Sequence, residues 1–445
     1  MSTLLGGQHN ETLQSENDLA HYFEAHAKPA NALKIGLEVE LLGVQKKTGK
    51  ALLYEGASGI HEILRTLAKE FHYEPVRDQE NIIALTRGET IVGLEPGGQL
   101  ELSAPPVSDI FEMETQVQTF RRELQSLEKK FPEIAWLAYG IQPFSALDEI
   151  SWVPKKRYQV LAEYLKTRGR LSHHMMKRTA TNQLNFDYLN EADAMSKLRT
   201  ALGITSIASA MFANASFSEG APNGYASYRL EIWNHTAPDR AGLLTDFLKP
   251  GKKFSDYLEY ILQMPMIFIV RDDQWIPLNG LPFRDFIKQG YQGHRATLGD
   301  FELHLSTAFP EARFKQYLEI RGIDGQSLPL IPAVAAFWKG ILYDAEARAK
   351  AWELVAFASP EEHQQLHLHV PREGLKAKLA GRPILPIAAA LVELAAGKNK
   401  KESIFLERLQ EKILRPGKSP GETLAEKWNG ELKHDPQNLL RYLGI

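Results

Sequence analysis

The sequence predicts an α+β fold built on an antiparallel sheet, and three observations carry that prediction. Short period-two segments alternate with long stretches of helical periodicity. A Pro96-Gly97-Gly98 turn joins two of the strand-like runs as a hairpin. The last third of the chain is mostly helical in pattern. In chain order, strands are predicted at residues 34–42, 91–95, 99–103, 134–140, 179–187, 227–233, 266–270 and 316–321, each a short run alternating apolar and polar positions. Helices are predicted at 61–71, 109–131, 157–168, 191–216, 254–263, 332–352, 360–368, 384–396 and 401–413, where apolar residues recur every three or four positions. No Pro/Gly/Ser-rich linker divides the chain, and no internal repeat stands out.

Composition narrows the function. At 445 residues the chain can bury a large core. Its formal net charge of −3, with both signs interspersed, gives neither a basic nucleic-acid groove nor a membrane-seeking surface. There is no cysteine, which excludes disulfides, thiolate metal sites and thiol nucleophiles. Residues 1–31 show no basic region followed by an apolar core, and the most apolar stretch, 383–396, is short and contains Glu393. A cytoplasmic enzyme is the expectation. Neither G-x-G-x-x-G nor G-x-x-x-x-G-K-[ST] occurs, so Rossmann and P-loop nucleotide sites are not supported.

The chemistry lies in polar residues spaced two apart on the predicted strands. In Gly36-Leu37-Glu38-Val39-Glu40-Leu41, alternation sends Glu38 and Glu40 to one face and the aliphatics to the other. Glu95 enters the Pro-Gly-Gly turn, and Gln99, Glu101 and Ser103 share one face of the returning strand. Thr181, Gln183, Asn185 and Asp187 align in the next run. Arg229, Glu231 and Trp233 form one alternating set, and Tyr317, Glu319 and Arg321 another. Each run alone reads equally as a solvated strand face or a set of cross-strand salt bridges. Together they read as a metal-filled funnel, because burying so many acids without a counterion costs several kcal/mol apiece, about. Oxygen donors without cysteine, and with the histidines His173, His174 and His304 set aside, point to Mg²⁺ or Mn²⁺ over zinc.

At these segments the sequence resembles the plant-type glutamate–cysteine ligases. The matching stretches are GLEVE (36–40), LEPGGQLELS (94–103), Lys156-Arg157-Tyr158, MMKRTATNQLNFDY (175–188), the 206–233 run, Asp239-Arg240, HLSTAFPEARFKQYLEIRG (304–322), PAVAAFWKGILYD (332–344) and PGETLAEKWNGE (420–431). The resemblance implies a glutamine-synthetase-like curved antiparallel funnel with packed helices. Residues 1–20 would be a flexible N-terminal segment and 21–445 a single catalytic domain. It implies ATP-driven joining of the glutamate γ-carboxylate to the cysteine amine through γ-glutamyl phosphate, the first step of glutathione biosynthesis. On matched positions, Glu38, Glu40, Glu95, Glu101 and Glu319 would hold magnesium, with Gln183 or Asn185 assisting. Arg321 and Glu319 would be catalytic, and Arg321 and Asn185 would meet ATP. Arg229, with Arg157, would clamp the glutamate α-carboxylate beside Trp233, with Thr181 and Met176 lining that pocket. The family's Lys-Gly-Arg-Tyr appears here as Lys155-Lys156-Arg157-Tyr158, and the regulatory disulfides of plant members are impossible in this chain. Synthesis of γ-glutamylcysteine for ergothioneine, ligation of another amine, a guanidino-type phosphotransferase and a catalytically silent binder remain as rivals. The partners implied are small molecules, with no nucleic acid or membrane, and either a monomer or a dimer is compatible.

Overall fold

A computed structural model describes residues 10–397 and 400–445 of the chain. Among these residues the main sheet has nine strands, and every pairing in it is antiparallel. Seven strands come from the first half: β1 (Ile35–Gln45), β2 (Glu74–Asp78), β3 (Asn81–Arg87), β4 (Thr90–Leu94), β5 (Leu100–Val107), β6 (Ile134–Leu137) and β7 (Asn182–Phe186). The last two are Ala312–Phe314 and Leu318–Ile320. In space the order runs 312–314, 318–320, β7, β1, β5, β4, β3, β2, with β6 pairing the far end of β1. The chain therefore brings its earliest strand to the middle, flanked by segments about 65 and 145 residues away in sequence, a register that only tertiary packing can fix.

The first six α-helices are α1 (Ile60–Phe71), α2 (Ile110–Lys130), α3 (Lys156–Leu165), α4 (Ser172–Arg178), α5 (Glu191–Met211) and α6 (Tyr228–Asn234). One face of the sheet is mainly apolar. Leu37, Val39 and Leu41 of β1 join Leu100 and Leu102 of β5, Leu184 and Phe186 of β7, and Leu318 and Ile320, all buried in one core. Helices α2, α5 and Ile331–Leu342 lie against that face. Each such side chain contributes about 1.5–3 kcal/mol when fully buried. The opposite face carries the polar members of the same strands, and it forms the floor of the site. The last third is helical, as its pattern predicts.

Three sequence expectations need correction. Residues 227–233 are not a strand but the helix α6, because Ser227 caps its N-terminus, its Oγ accepting from Leu230 N–H at 3.1 Å. The predicted strand 316–321 is one arm of a hairpin whose turn lies at 315–317. The single helix expected over 332–352 breaks into Ile331–Leu342 and Ala345–Glu353, because Asp344 caps the second, accepting from the N–H groups of Glu346 and Ala347. Of the segment 1–20, residues 1–9 lie outside the described residues. The remainder is packed: Leu13 and Leu19 are buried, and Thr12 forms a bridge to Thr297.

Candidate active site

The floor of the site is the polar face of β1, β5 and β7. Glu40 stands directly across from Glu101, and Glu38 across from Ser103 on one side and Gln183 on the other. The β4–β5 turn presents Glu95. Its geometry depends on Gly98, whose φ of 84° suits glycine, and on Gly97, where a Cβ would meet the Lys177 carbonyl oxygen at 2.2 Å. Gln99 ties this turn to α4: its Oε1 accepts from Gly97 N–H at 2.8 Å, while its Nε2 donates to the Met176 and Thr179 carbonyls. These residues open into one cleft. Lys155, Arg157 and Leu161 enter it from α3 and the residue before it, Met176 from α4, Arg229 and Trp233 from α6. Arg313, Lys315 and Arg321 enter from the last hairpin.

The acids repel one another. Burial and the facing Glu101 push Glu40 up to about 8, even though Thr181 N–H donates to it at 3.0 Å. Burial and the charges of Glu38 and Glu95 push Glu101 up to about 8, against a 2.6 Å bond from Ser103 Oγ. Burial and Glu40 raise Glu95 to about 7. Glu319 differs. Burial alone would raise it, but Arg313, Lys315 and Arg321 all donate to its carboxylate and hold it well below the usual range. Burial and the neighbouring Arg157 charge lower Lys155 to about 8.

Of the residues singled out from sequence, Glu38, Glu40, Glu95, Glu101, Gln183, Arg157, Met176, Thr181, Arg229, Trp233 and Arg321 line the one cleft. Arg229 and Trp233 do so as an i, i+4 pair on α6, not as strand alternates. Glu231 turns away and meets His235 and Arg170. Glu319 and Asn185 lie just behind the lining. Glu319 is fully buried among its three cations, and Asn185 donates to Glu38 at 3.2 Å while its Oδ1 is buried without a hydrogen-bond partner among the described residues. Arg321 also donates to Gln183 Oε1 at 2.6 Å. Asp187 leaves the site, bonded to Lys28 and to the Lys34 N–H. His304 stacks on Phe283 away from the cleft.

Sequence reasoning missed Lys155, Ser306, Phe309, Arg313, Lys315 and Asp324. Asp324 is buried and braces α6. It accepts from Ser227 Oγ at 2.9 Å and Asn214 N–H at 2.7 Å, and lies 3.7 Å from Arg229 Nη1. Arg313 and Lys315 were findable, because the period-two set of 317, 319 and 321 continues backwards through them across the turn.

Comparison with known proteins follows the same lines. Residues 34–437 match the model of glutamate-cysteine ligase family 2. The chain belongs to this family. Its relatives include the chloroplastic glutamate–cysteine ligase of Nicotiana tabacum, 36% identical over 94% of this chain and 80% of that protein. The Arabidopsis thaliana enzyme is 35% identical over the same shares. Oryza sativa subsp. japonica glutamate–cysteine ligase B is 34% identical over 97% of this chain and 88% of its own. Among solved structures, the glutamate–cysteine ligase of Francisella tularensis in complex with AMP shares the fold, with a TM-score of 0.57 at 12% identity, covering 92% of this chain and 88% of that one. No helix among the described residues is long and apolar enough to cross a membrane.

Proposed function

We propose that this chain joins the γ-carboxylate of L-glutamate to the amine of L-cysteine at the expense of ATP, giving γ-glutamylcysteine, ADP and phosphate, the first step of glutathione synthesis. The observation that carries this reading is one cleft, in a member of this ligase family, where four carboxylates on a rigid sheet face arginines on α3, α6 and the last hairpin.

Two carboxylate-bearing amino acids and a polyphosphate must be held together, so like charges have to be separated by fixed cations. Arg229 is the clamp for the glutamate α-carboxylate. It is buried, its Nη2 is fixed by the Arg321 carbonyl at 2.9 Å, and its Nε has no partner among the described residues. Trp233, whose ring lies 5.8 Å from that guanidinium, walls the same corner. The γ-carboxylate then attacks the terminal phosphorus of ATP and ADP leaves. The cysteine amine attacks the resulting acyl phosphate at carbon, and phosphate leaves. Arg321, 2.9 Å from Glu319, is positioned by that acid to meet the charge that moves with the phosphoryl group.

Magnesium, or manganese, fits the donor set. The facing groups are all oxygen, and Glu40, Glu95 and Glu101 are held above their ordinary pKa by burial and by neighbouring carboxylates, a tension that a divalent ion relieves. Glu38, Glu40, Glu95 and Glu101 would hold it, and bound there it would neutralise the nucleotide phosphates. Among the described residues no three acids already converge on one point, so nucleotide oxygens complete the coordination in this reading. Glu319 and Gln183 would join only by exchanging their bonds to Arg321. A cytoplasmic location belongs to the same reading.

ADP and phosphate release with glutamate and a panel of amines, with and without Mg²⁺, tests it. Cysteine strongly preferred, phosphate in step with ADP, and no reaction without the metal are the expected results. Indifference to cysteine, or ADP without phosphate, would overturn it.

A further inference from the structure

Arg157 is the pocket cation with the least to do. Its side chain is buried, with 6% of the residue's surface exposed, yet no carboxylate among the described residues lies within salt-bridge distance. Arg313, Lys315 and Arg321 all share Glu319, and Arg229 has Asp324. Arg157 Nη2 donates to Ser306 Oγ at 3.0 Å, and the Phe268 and Trp275 rings lie 5.4 and 5.9 Å from the guanidinium carbon. These contacts fix the plane of the group, and Nη1 is left buried without a hydrogen-bond partner among the described residues. A planar fork held in place with one donor unused is prepared for an anion that arrives with the substrate.

The surroundings say which anion. Leu161, one turn along α3, and Met175 and Met176 of α4 line the same cleft as Arg157, and the Phe268 and Trp275 rings flank the guanidinium, so the cleft that holds this cation also offers apolar surface. Phosphates need cations and metal without apolar company, whereas an amino acid with a small apolar side chain needs both. Glutamate already has Arg229, which is held by Trp233 and the Arg321 carbonyl, contacts that Arg157 does not share. The acceptor amino acid brings a second α-carboxylate into a cleft lined by Glu38, Glu40, Glu95 and Glu101, and without its own cation that group would be repelled. Lys155, a second cleft cation with no acid in salt-bridge distance among the described residues, sits 4.7 Å over the Tyr158 ring instead.

We infer that Arg157 reads the α-carboxylate of the acceptor amino acid, with Leu161, Met175 and Met176 enclosing its side chain. Arg157 thus serves the second substrate and not, as the family resemblance alone suggests, the first. The inference rests on the ligase reading above. The acceptor is then selected twice, once by its charge and once by the size of what the three apolar side chains admit.

The test compares cysteine with cysteamine, the same amine and thiol without the carboxylate. For wild-type enzyme at saturating glutamate and Mg-ATP, cysteamine should have a KM at least about 30-fold above that of cysteine, the size of one charge-assisted hydrogen bond. Arg157→Gln should raise the cysteine KM by about 30- to 100-fold, leave the glutamate KM within about threefold, and leave cysteamine kinetics unchanged. Ser306→Ala, which only loosens the guanidinium, should move the cysteine KM the same way by about threefold to tenfold, and it serves if Arg157→Gln does not fold. A raised glutamate KM with the cysteine KM unmoved, or equal losses toward both amines, overturns the inference and leaves the ligase reading standing. No ADP release with any amine overturns both.

Discussion

Glu101 and Leu102 are neighbours on β5, and they live in opposite worlds. Leu102 points into the core against α2 and its companions, and each of its contacts lowers the free energy of the folded chain. Glu101 points into the cleft, where burial and two other acids oppose its charge. The same contrast runs across β1, between Val39 and Glu40, and across β7, between Leu184 and Gln183. One sheet therefore has a face that stabilises the protein and a face that costs stability until something positive arrives. The apolar face holds the polar one rigid, which is what allows like charges to be kept a strand spacing apart.

The contrast can be broken at several points. The largest effect should come from the cleft side. Arg321→Ala should lower kcat by about 10³-fold with little change in the glutamate KM, because this guanidinium serves charge that develops during transfer. Steady-state kinetics check it, and a KM effect without a kcat effect would contradict it. Next comes the paired substitution on β5. Leu102→Ala should destabilise the fold by about 2–5 kcal/mol in denaturant titration. Glu101→Gln, one residue earlier, should stabilise the metal-free protein by about 2 kcal/mol at pH 8 while abolishing turnover. Destabilisation by both would show that the two faces are not different in kind.

Arg229→Ala should raise the glutamate KM by about 30-fold while the cysteine KM holds, again by steady-state kinetics. The smallest effect is in pH. Glu40, Glu95 and Glu101 have folded-state pKa values near 8, 7 and 8, above their ordinary 4.5. Between those limits the folded metal-free protein carries protons that the unfolded chain has released, so its stability is greatest at the acid end and is lost as pH rises through about 7 to 8. The melting temperature without metal should fall by a few degrees between pH 6 and 8.5, and Mg-ATP should flatten that slope. A metal-free protein that gains stability over this range would contradict the account.

Much of this could be read in the sequence because strand alternation is a local rule. Glu38 and Glu40 share a face whatever their neighbours are, and the Pro96-Gly97-Gly98 turn fixes its own geometry. Residues 227–233 show where the rule fails. Arg-Leu-Glu-Ile-Trp alternates like a strand, but Arg229 and Trp233 are also four apart, and the Ser227 cap decides for the helix. The residues reached the same cleft by a different geometry. What could not be read is long-range pairing. Nothing local tells that Asp324 will meet Ser227 from almost a hundred residues away. Nor does sequence show which arginine already has a partner, and that distinction separates Arg157 from Arg321.

The central claim is that the polar face binds a divalent ion together with nucleotide through Glu38, Glu40, Glu95 and Glu101. Calorimetric titration of ATP into the wild type and a Glu40→Gln, Glu101→Gln double variant, each with Mg²⁺ and with a chelator, tests it most directly. The account predicts saturable binding by the wild type only when Mg²⁺ is present, and an affinity at least about tenfold weaker in the double variant. Equal affinity in the two proteins, or undiminished binding in chelator, would contradict it.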